Sequence, residues 1–267
     1  MGVSNETWFA EGRLCLVRRA AVATIVLNQP ERKNAISFAM WQALPEVTAA
    51  IAADESIRVV LVTGAGGTVF SAGADISEFA AVYADAERTI AYNAAVRAGQ
   101  AALRGLERAV IAVIAGPCIG GGCGLALASD LRFAASDARF AIPPSRLGLA
   151  YSYEDTAQLV EKVGPARAKD MLFSARQLDA AEALAIGLVD RVFPVAELSG
   201  AAEAYAEELA SLSQTSIRAA KAIVNLIADG APDGREQAAS IAAASFAGPD
   251  FKEGFRAFLE KRRPRFG

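Results

Sequence analysis

Two short runs of apolar, mostly β-branched residues, 59–63 and 110–115, constrain this chain more than anything else in it. Each ends on a glycine, Gly64 or Gly116, and a helix-length stretch separates them. Runs this apolar suit strands buried on both faces. Strands joined through a helix pair in parallel, so the pattern points to an α/β fold with parallel pairing.

The rest of the first half agrees. Residues 14–18 and 22–27 read as a hairpin, and 37–53 as an amphipathic helix with Ser37 at its N-cap. Pro45 either kinks that helix or marks its true start. Residues 84–107 read as a long helix, 124–129 as a short one and 131–134 as a strand. From about Asp155 helices dominate: 155–163, 165–173, 180–186, 196–212, 216–227, 235–247 and 250–260, interrupted by a strand at 188–192. We expect a core over residues 1–195 and a helical region over 196–267. The helices of that region are too apolar to stand in water alone, so they should dock on the core or on another subunit.

Composition narrows the chemistry. With 267 residues and 53% hydrophobic content the chain can build a sizeable core, filled by aliphatics because aromatics are 7%. The formal net charge is −3, and the one basic cluster is Lys261, Arg262, Arg263 and Arg265, which argues against nucleic acid as a partner. No run reaches the ~18 apolar residues a membrane span needs. Residues 1–10 hold no basic-then-apolar pattern, so no signal peptide is expected. Cys15, Cys118 and Cys123 have no metal-ligand spacing and cannot all pair, which suits a reducing cytoplasm. The chain has no histidine. Ser-His-Asp and Cys-His catalysis and His-ligated zinc are therefore excluded. Proton transfer falls to carboxylates, Tyr, Lys, Cys or water.

Two turns are rich in glycine: Phe70-Ser71-Ala72-Gly73-Ala74-Asp75-Ile76 and Gly116-Pro117-Cys118-Ile119-Gly120-Gly121-Gly122-Cys123-Gly124. Glycine lets backbone approach a ligand and aim N–H groups at it. A helix beginning at the triplet adds its positive end to the same place. The second turn lacks a Walker lysine and the dinucleotide spacing, so it is not a phosphate cradle.

Together these turns resemble the two oxyanion segments of the crotonase (enoyl-CoA hydratase/isomerase) superfamily. Arg32-Lys33-Asn34-Ala35-Ile36-Ser37 is similar to its early CoA-contacting loop. Ala180-Ala181-Glu182-Ala183 with Gly187-Leu188-Val189-Asp190 is similar to a later segment, and Phe251-Lys252-Glu253-Gly254 to its C-terminal helix. The resemblance implies a ββα spiral core, a helical C-terminal region, and homotrimers often paired as hexamers. It implies an acyl-CoA substrate, with coenzyme A part of that substrate and no further cofactor or metal. It places the thioester carbonyl between two backbone donors, which map to the N–H groups of Ala72 and Gly121. Removing a proton or CO2 from the α-carbon, or adding a nucleophile at the β-carbon, puts charge on that oxygen. Further CoA contacts map to Lys33, Ala35, Asp75, Ile76 and the C-terminal Lys261.

Two departures stand out. Hydratases of the family carry a glutamate directly after the Gly-Gly-Gly-Cys run, and here Gly124 follows it. Their second glutamate maps to Pro144. Neither replacement can move a proton. The following loop, Arg146-Leu147-Gly148-Leu149-Ala150-Tyr151, resembles that of family members that decarboxylate malonyl-type CoA thioesters. Tyr151 and Glu154 are therefore the candidate catalytic side chains, and Asp155 is a further carboxylate that serves if the loop bends inward. First-turn helix carboxylates favoured by the dipole are the alternative for both acids. Hydration, malonyl-type decarboxylation and non-catalytic acyl-CoA binding all stay open.

Overall fold

The apolar runs form adjacent parallel strands at the centre of a seven-stranded sheet. The computed structural model describes residues 5–266, so the signal-peptide expectation lies partly outside the described residues. The chain begins β1 (Asn5–Phe9), β2 (Leu14–Arg19), β3 (Val22–Leu27), α1 (Phe38–Ala52) and β4 (Val59–Gly64). It continues through α2 (Phe79–Val82), α3 (Ala86–Arg104), β5 (Ala109–Ile114), β6 (Pro117–Ile119), α4 (Gly121–Leu127), β7 (Leu131–Ala135) and β8 (Arg139–Ala141). Next come α5 (Pro144–Leu147), α6 (Tyr153–Ser174), β9 (Leu178–Asp179), α7 (Ala180–Ala185) and β10 (Arg191–Phe193). Helices α8 (Leu198–Ser211), α9 (Gln214–Ala228), α10 (Gly234–Ala247) and α11 (Pro249–Leu259) close the chain.

The large sheet runs β1-β2-β3-β4-β5-β7-β10, antiparallel over its first three strands and parallel after them. Burial on both faces follows from strand alternation. Val59, Leu61, Ile111 and Val113 face one layer, where Leu198, Ala202, Ala206 and Ala210 of α8 meet them at four-residue spacing. Val60, Val62, Val110, Ala112 and Ile114 face the main core, with Trp41, Leu44 and Val47 of α1. A second sheet, β6-β8-β9, carries the glycine triplet at its end.

Several expectations shift in register. Helix α1 starts at Phe38 behind its Ser37 cap and runs through Pro45 without a break. The helix expected over 84–107 forms as α3 alone, starting at Ala86 because Asp85 is extended and caps it by accepting from Arg88 N–H. Helix α4 begins at Gly121, three residues earlier than expected, so the triplet itself supplies the helix N-terminus. The helices expected at 155–163 and 165–173 meet at Gly164, whose φ of 76° breaks the helical path inside α6. The late strand forms at Arg191–Phe193 rather than 188–192, because Leu188 N–H still bonds back to Ala183. Strands β1, β6, β8 and β9 are too short or too polar to show a period. No helix among the described residues is long and apolar enough to cross a membrane.

Candidate active site

Backbone hydrogen bonds stitch the two glycine turns together. Ser71 N–H donates to Pro117 O at 3.1 Å, and Ile119 N–H donates to Ser71 O at 2.9 Å. On its other side the first turn is held by Ile36, whose N–H donates to Gly73 O at 2.7 Å and whose carbonyl accepts from Asp75 N–H at 3.0 Å. That parallel bridge turns the N–H of Ala74 away from Ile36 and toward the second turn. Gly73 needs its φ of 101° for this path, and Gly120 needs 52° to leave β6 and open α4.

The donor expected at Ala72 is corrected here. Its N–H donates to Lys33 O at 2.9 Å and is not available to a ligand. The open N–H belongs to Ala74, two residues on. No hydrogen bond among the described residues takes the N–H of Ala74 or of Gly121. The two converge: a Cβ built on Gly121 would stand 3.5 Å from Ala74 N, and one on Gly73 would stand 3.5 Å from Gly121 N. Gly121 N–H is also one of the unpaired donors at the N-terminus of α4, where the helix dipole favours negative charge.

These donors face a cavity of about 380 Å³. Trp41, Ile76, Tyr83, Tyr92, Val96, Ile142 and the loop from Pro143 to Tyr151 line it with mostly apolar surface. That size and lining suit a small-molecule site with few polar groups. Three surface grooves are larger, at about 740, 1030 and 450 Å³. We place the site by its chemistry and not by its size, because none of these grooves is lined by the glycine turns.

Of the expected side chains, Tyr151 lines the cavity. Its hydroxyl is 3.5 Å from Gly120 O, and burial together with the nearby Asp155 pushes its pKa well above the usual tyrosine range. Glu154 is corrected: it is exposed and borders the 1030 Å³ groove on the far side of α6. The helix periodicity that takes Glu154 out brings Asp155 in. Asp155 is 7% exposed, its Oδ1 accepts from Gln100 Nε2 at 2.8 Å, and its Oδ2 accepts from Ser152 Oγ at 2.7 Å. Burial raises its pKa above the usual carboxylate value, against the opposing pull of those two hydrogen bonds.

The expected CoA contacts are placed differently from one another. Lys33 lies behind Ala72, whose N–H donates to its carbonyl, and Ala35 is buried and does not line the cavity. Ile76 is 71% exposed and lines the cavity. Asp75 does not line it. Its carboxylate is buried, caps the turn at Ser77 and accepts from Arg32 at 2.8 Å, so it pins the first turn. Lys261 is exposed beyond the end of α11. No group of three or more potential ligand side chains among the described residues is placed to hold a metal.

Comparison with known proteins shows the family. The family model described as enoyl-CoA hydratase/isomerase matches residues 17–267. The chain belongs to the enoyl-CoA hydratase/isomerase family. It is 33% identical to the crotonyl-CoA hydratase of Syntrophomonas wolfei over 257 residues, covering 95% of this chain and 97% of that one. An enoyl-CoA hydratase/isomerase family protein from Hyphomonas neptunium superposes with a TM-score of 0.92 at 41% identity, covering 96% of this chain and 97% of that one. The enoyl-CoA hydratase of Bacillus anthracis gives 0.89 at 32% identity, covering 95% and 98%. The crotonase-type α/β fold expected from the glycine turns is the fold of these relatives.

Asp155 is the carboxylate on the cavity wall; its only mark in the sequence is its place one residue after Glu154 at a helix start, and docking of α6 sets which of the two faces inward.

Proposed function

We propose that this family member binds an acyl-CoA thioester with its carbonyl oxygen between the N–H groups of Ala74 and Gly121, and stabilises the enolate formed there. The carrying observation is the convergence of two unpaired backbone donors at the mouth of an apolar cavity. Such donors are already oriented when charge develops on the oxygen, and one is typically worth about 2.7–4 kcal/mol, or 10²–10³ in rate. Coenzyme A enters as part of the substrate, with no further cofactor. The test is the ¹³C resonance of butyryl-CoA labelled at the thioester carbonyl. Binding should move it downfield, and Gly121→Ala, whose methyl would stand 3.5 Å from Ala74 N, should abolish the shift. An unshifted resonance in the native complex would sink the reading.

Gly124 and Pro144 stand where hydration would use two glutamates, so a two-glutamate hydratase mechanism is not the reading we favour. Their presence favours a second possibility, an acyl-CoA-binding subunit without turnover. Incubation with crotonyl-CoA and with methylmalonyl-CoA, following hydration and CO2 release separately, distinguishes these. Binding without reaction of any thioester supports the second reading; CO2 release supports malonyl-type decarboxylation.

The working molecule is proposed to be a homotrimer or hexamer. Phe246, Phe251, Phe255 and Phe258 of α10 and α11 are half to four-fifths exposed in the single chain, which is the surface such an assembly would cover. Three unpaired buried thiols suit a reducing cytoplasm.

A further inference from the structure

We propose that the groove of about 740 Å³ at the start of β4 and β5 binds a phosphate group, free or as the ester of a small molecule, on the guanidinium groups of Arg58, Arg108 and Arg218. This site is separate from the thioester cavity, which lies at the other ends of the same strands.

The separation follows from the topology. Arg58 and Arg108 stand immediately before β4 and β5, whereas Gly64 ends the first strand and Gly116 lies just past the second. Six residues of strand span about 20 Å. One wall of the groove comes from residues 45–52 of α1, and the other from the end of α3 and its turn into β5. Gln214 and Arg218, in the first turns of α9, also line it. Three cations distant in sequence thus meet at one opening.

Unmet bonding capacity marks the groove. None of the three guanidiniums joins an ion pair among the described residues. Arg58 donates through Nη1 to Ala210 O at 3.0 Å. Arg108 is 5% exposed and donates through Nε to Ile57 O at 2.7 Å and through Nη1 to Glu107 O at 3.2 Å. These bonds fix both side chains and leave Nη2 of each without a partner among the described residues. Arg218 Nε is buried with no hydrogen-bond partner, and so is Oε1 of Gln214, one helical turn before it. Gln214 is nine-tenths buried, and its Nε2 is committed to Leu209 O and Leu212 O, so a flip of the amide would not help. Buried polar atoms are nearly always paired, so an orphaned donor and an orphaned acceptor on one groove wall mark the place of a missing ligand.

Electrostatics and hydrogen bonding select the ligand. Burial, and next the charge of Arg218, pull the Arg108 pKa down, so the two cations stand close enough to repel. Glu55 and Glu107 line the groove but are exposed, and Asp54 is engaged with Arg18. The positive end of α9 adds to the field. Arginine forks match phosphate oxygens. A phosphate that keeps one proton also donates the hydrogen bond that Gln214 Oε1 lacks, which an ionised carboxylate cannot do. The groove is larger than one phosphate, and an ester has room against Ala49, Ala52, Ala102 and Leu106.

The experiment titrates the full chain in a calorimeter with inorganic phosphate, ribose 5-phosphate and sodium acetate at matched ionic strength, with thermal melts in parallel. Phosphate should bind once per chain and raise Tm, as any ligand of the folded state does. Acetate should do neither; an equal response to acetate overturns the phosphate assignment. Tighter binding of ribose 5-phosphate than of inorganic phosphate assigns the site to esters, and the reverse assigns it to the free ion. Saturating butyryl-CoA should leave the phosphate Kd unchanged; displacement would put the phosphate in the thioester cavity and overturn the inference. Failure of butyryl-CoA to bind would overturn the thioester reading alone. Arg218→Gln should weaken phosphate binding at least about tenfold and leave the butyryl-CoA Kd unchanged. In phosphate-free buffer it should melt no lower than the native chain, because it removes an uncompensated like charge. A variant that melts lower and still binds phosphate shows an arginine with a structural role only. If Arg218→Gln does not fold, Arg58→Gln should weaken phosphate binding in the same way, and unchanged binding there overturns the site. A native chain giving no phosphate heat and no Tm rise overturns it outright.

Discussion

At Gly124 a single methyl group has two consequences. It would press on the amide of Gln100 and the carboxylate of Asp155, both well inside ordinary contact distance of its Cβ. Overpacking of this kind typically costs about 1–3 kcal/mol. Gly124→Ala should therefore lower Tm in thermal melts, and should displace the Asp155 carboxylate from its hydrogen bond with Gln100. Asp155 itself should be a liability to stability. Its proton is held more tightly in the folded chain than in the unfolded one. Below the usual carboxylate range both states are protonated and nothing is lost. As pH rises through that range the unfolded chain releases its proton first, so folding loses stability until the folded group has ionised too. Asp155→Asn carries no such penalty and keeps both side-chain partners in reach. Thermal melts should give it a higher Tm than the native chain at pH 7, with the gap closing in acid.

Among the elements, the late family segments prove to be structural. Asp190 of Gly-Leu-Val-Asp accepts from the Arg132 backbone N–H at 2.7 Å and from its guanidinium at 2.8 Å, tying the approach to β10 onto β7. Arg132 is 3% exposed and also donates to Leu188 O and Ser129 O. Asp190→Ala would strand that guanidinium in the core, a loss of about 3–5 kcal/mol. Urea denaturation should show it as a lower midpoint with an unchanged slope. Glu182 of Ala-x-Glu-Ala pairs with Arg176, which also reaches Asp170, joining α6 to α7 at the surface. Neither segment lines the cavity; both brace the scaffold that carries the glycine turns.

For the whole molecule, the two faces of the large sheet are served differently. The first half of the chain supplies α1 and α3 to one, and α8 returns to cover the other. Helix α9 is anchored by Lys221, whose ammonium donates to Asp130 and to Arg108 O, both at 2.9 Å. Helices α10 and α11 bury little: Ala257 is their one buried residue, while four of their phenylalanines stay exposed. A surface of that kind is stable in water when another chain covers it. Sedimentation should show a trimer or hexamer, and Phe255→Glu with Phe258→Glu should shift it toward monomer. A monomeric native chain would remove the assembly proposal.

The residues alone determined the parallel α/β core and the two glycine turns, because each is written in local pattern: β-branched runs and glycine spacing. Which groups face the cavity was decided only in three dimensions. Ala72 and Ala74 read alike along the chain, and a hydrogen bond from Ala72 to Lys33, 39 residues away in sequence, determines which N–H stays open. Glu154 and Asp155 are adjacent and both ionisable, and the docking of α6 against α3 and α4 turns one to solvent and buries the other behind Gly124. Local sequence specifies backbone conformation; the direction a donor or a carboxylate faces depends on partners brought together by long-range packing.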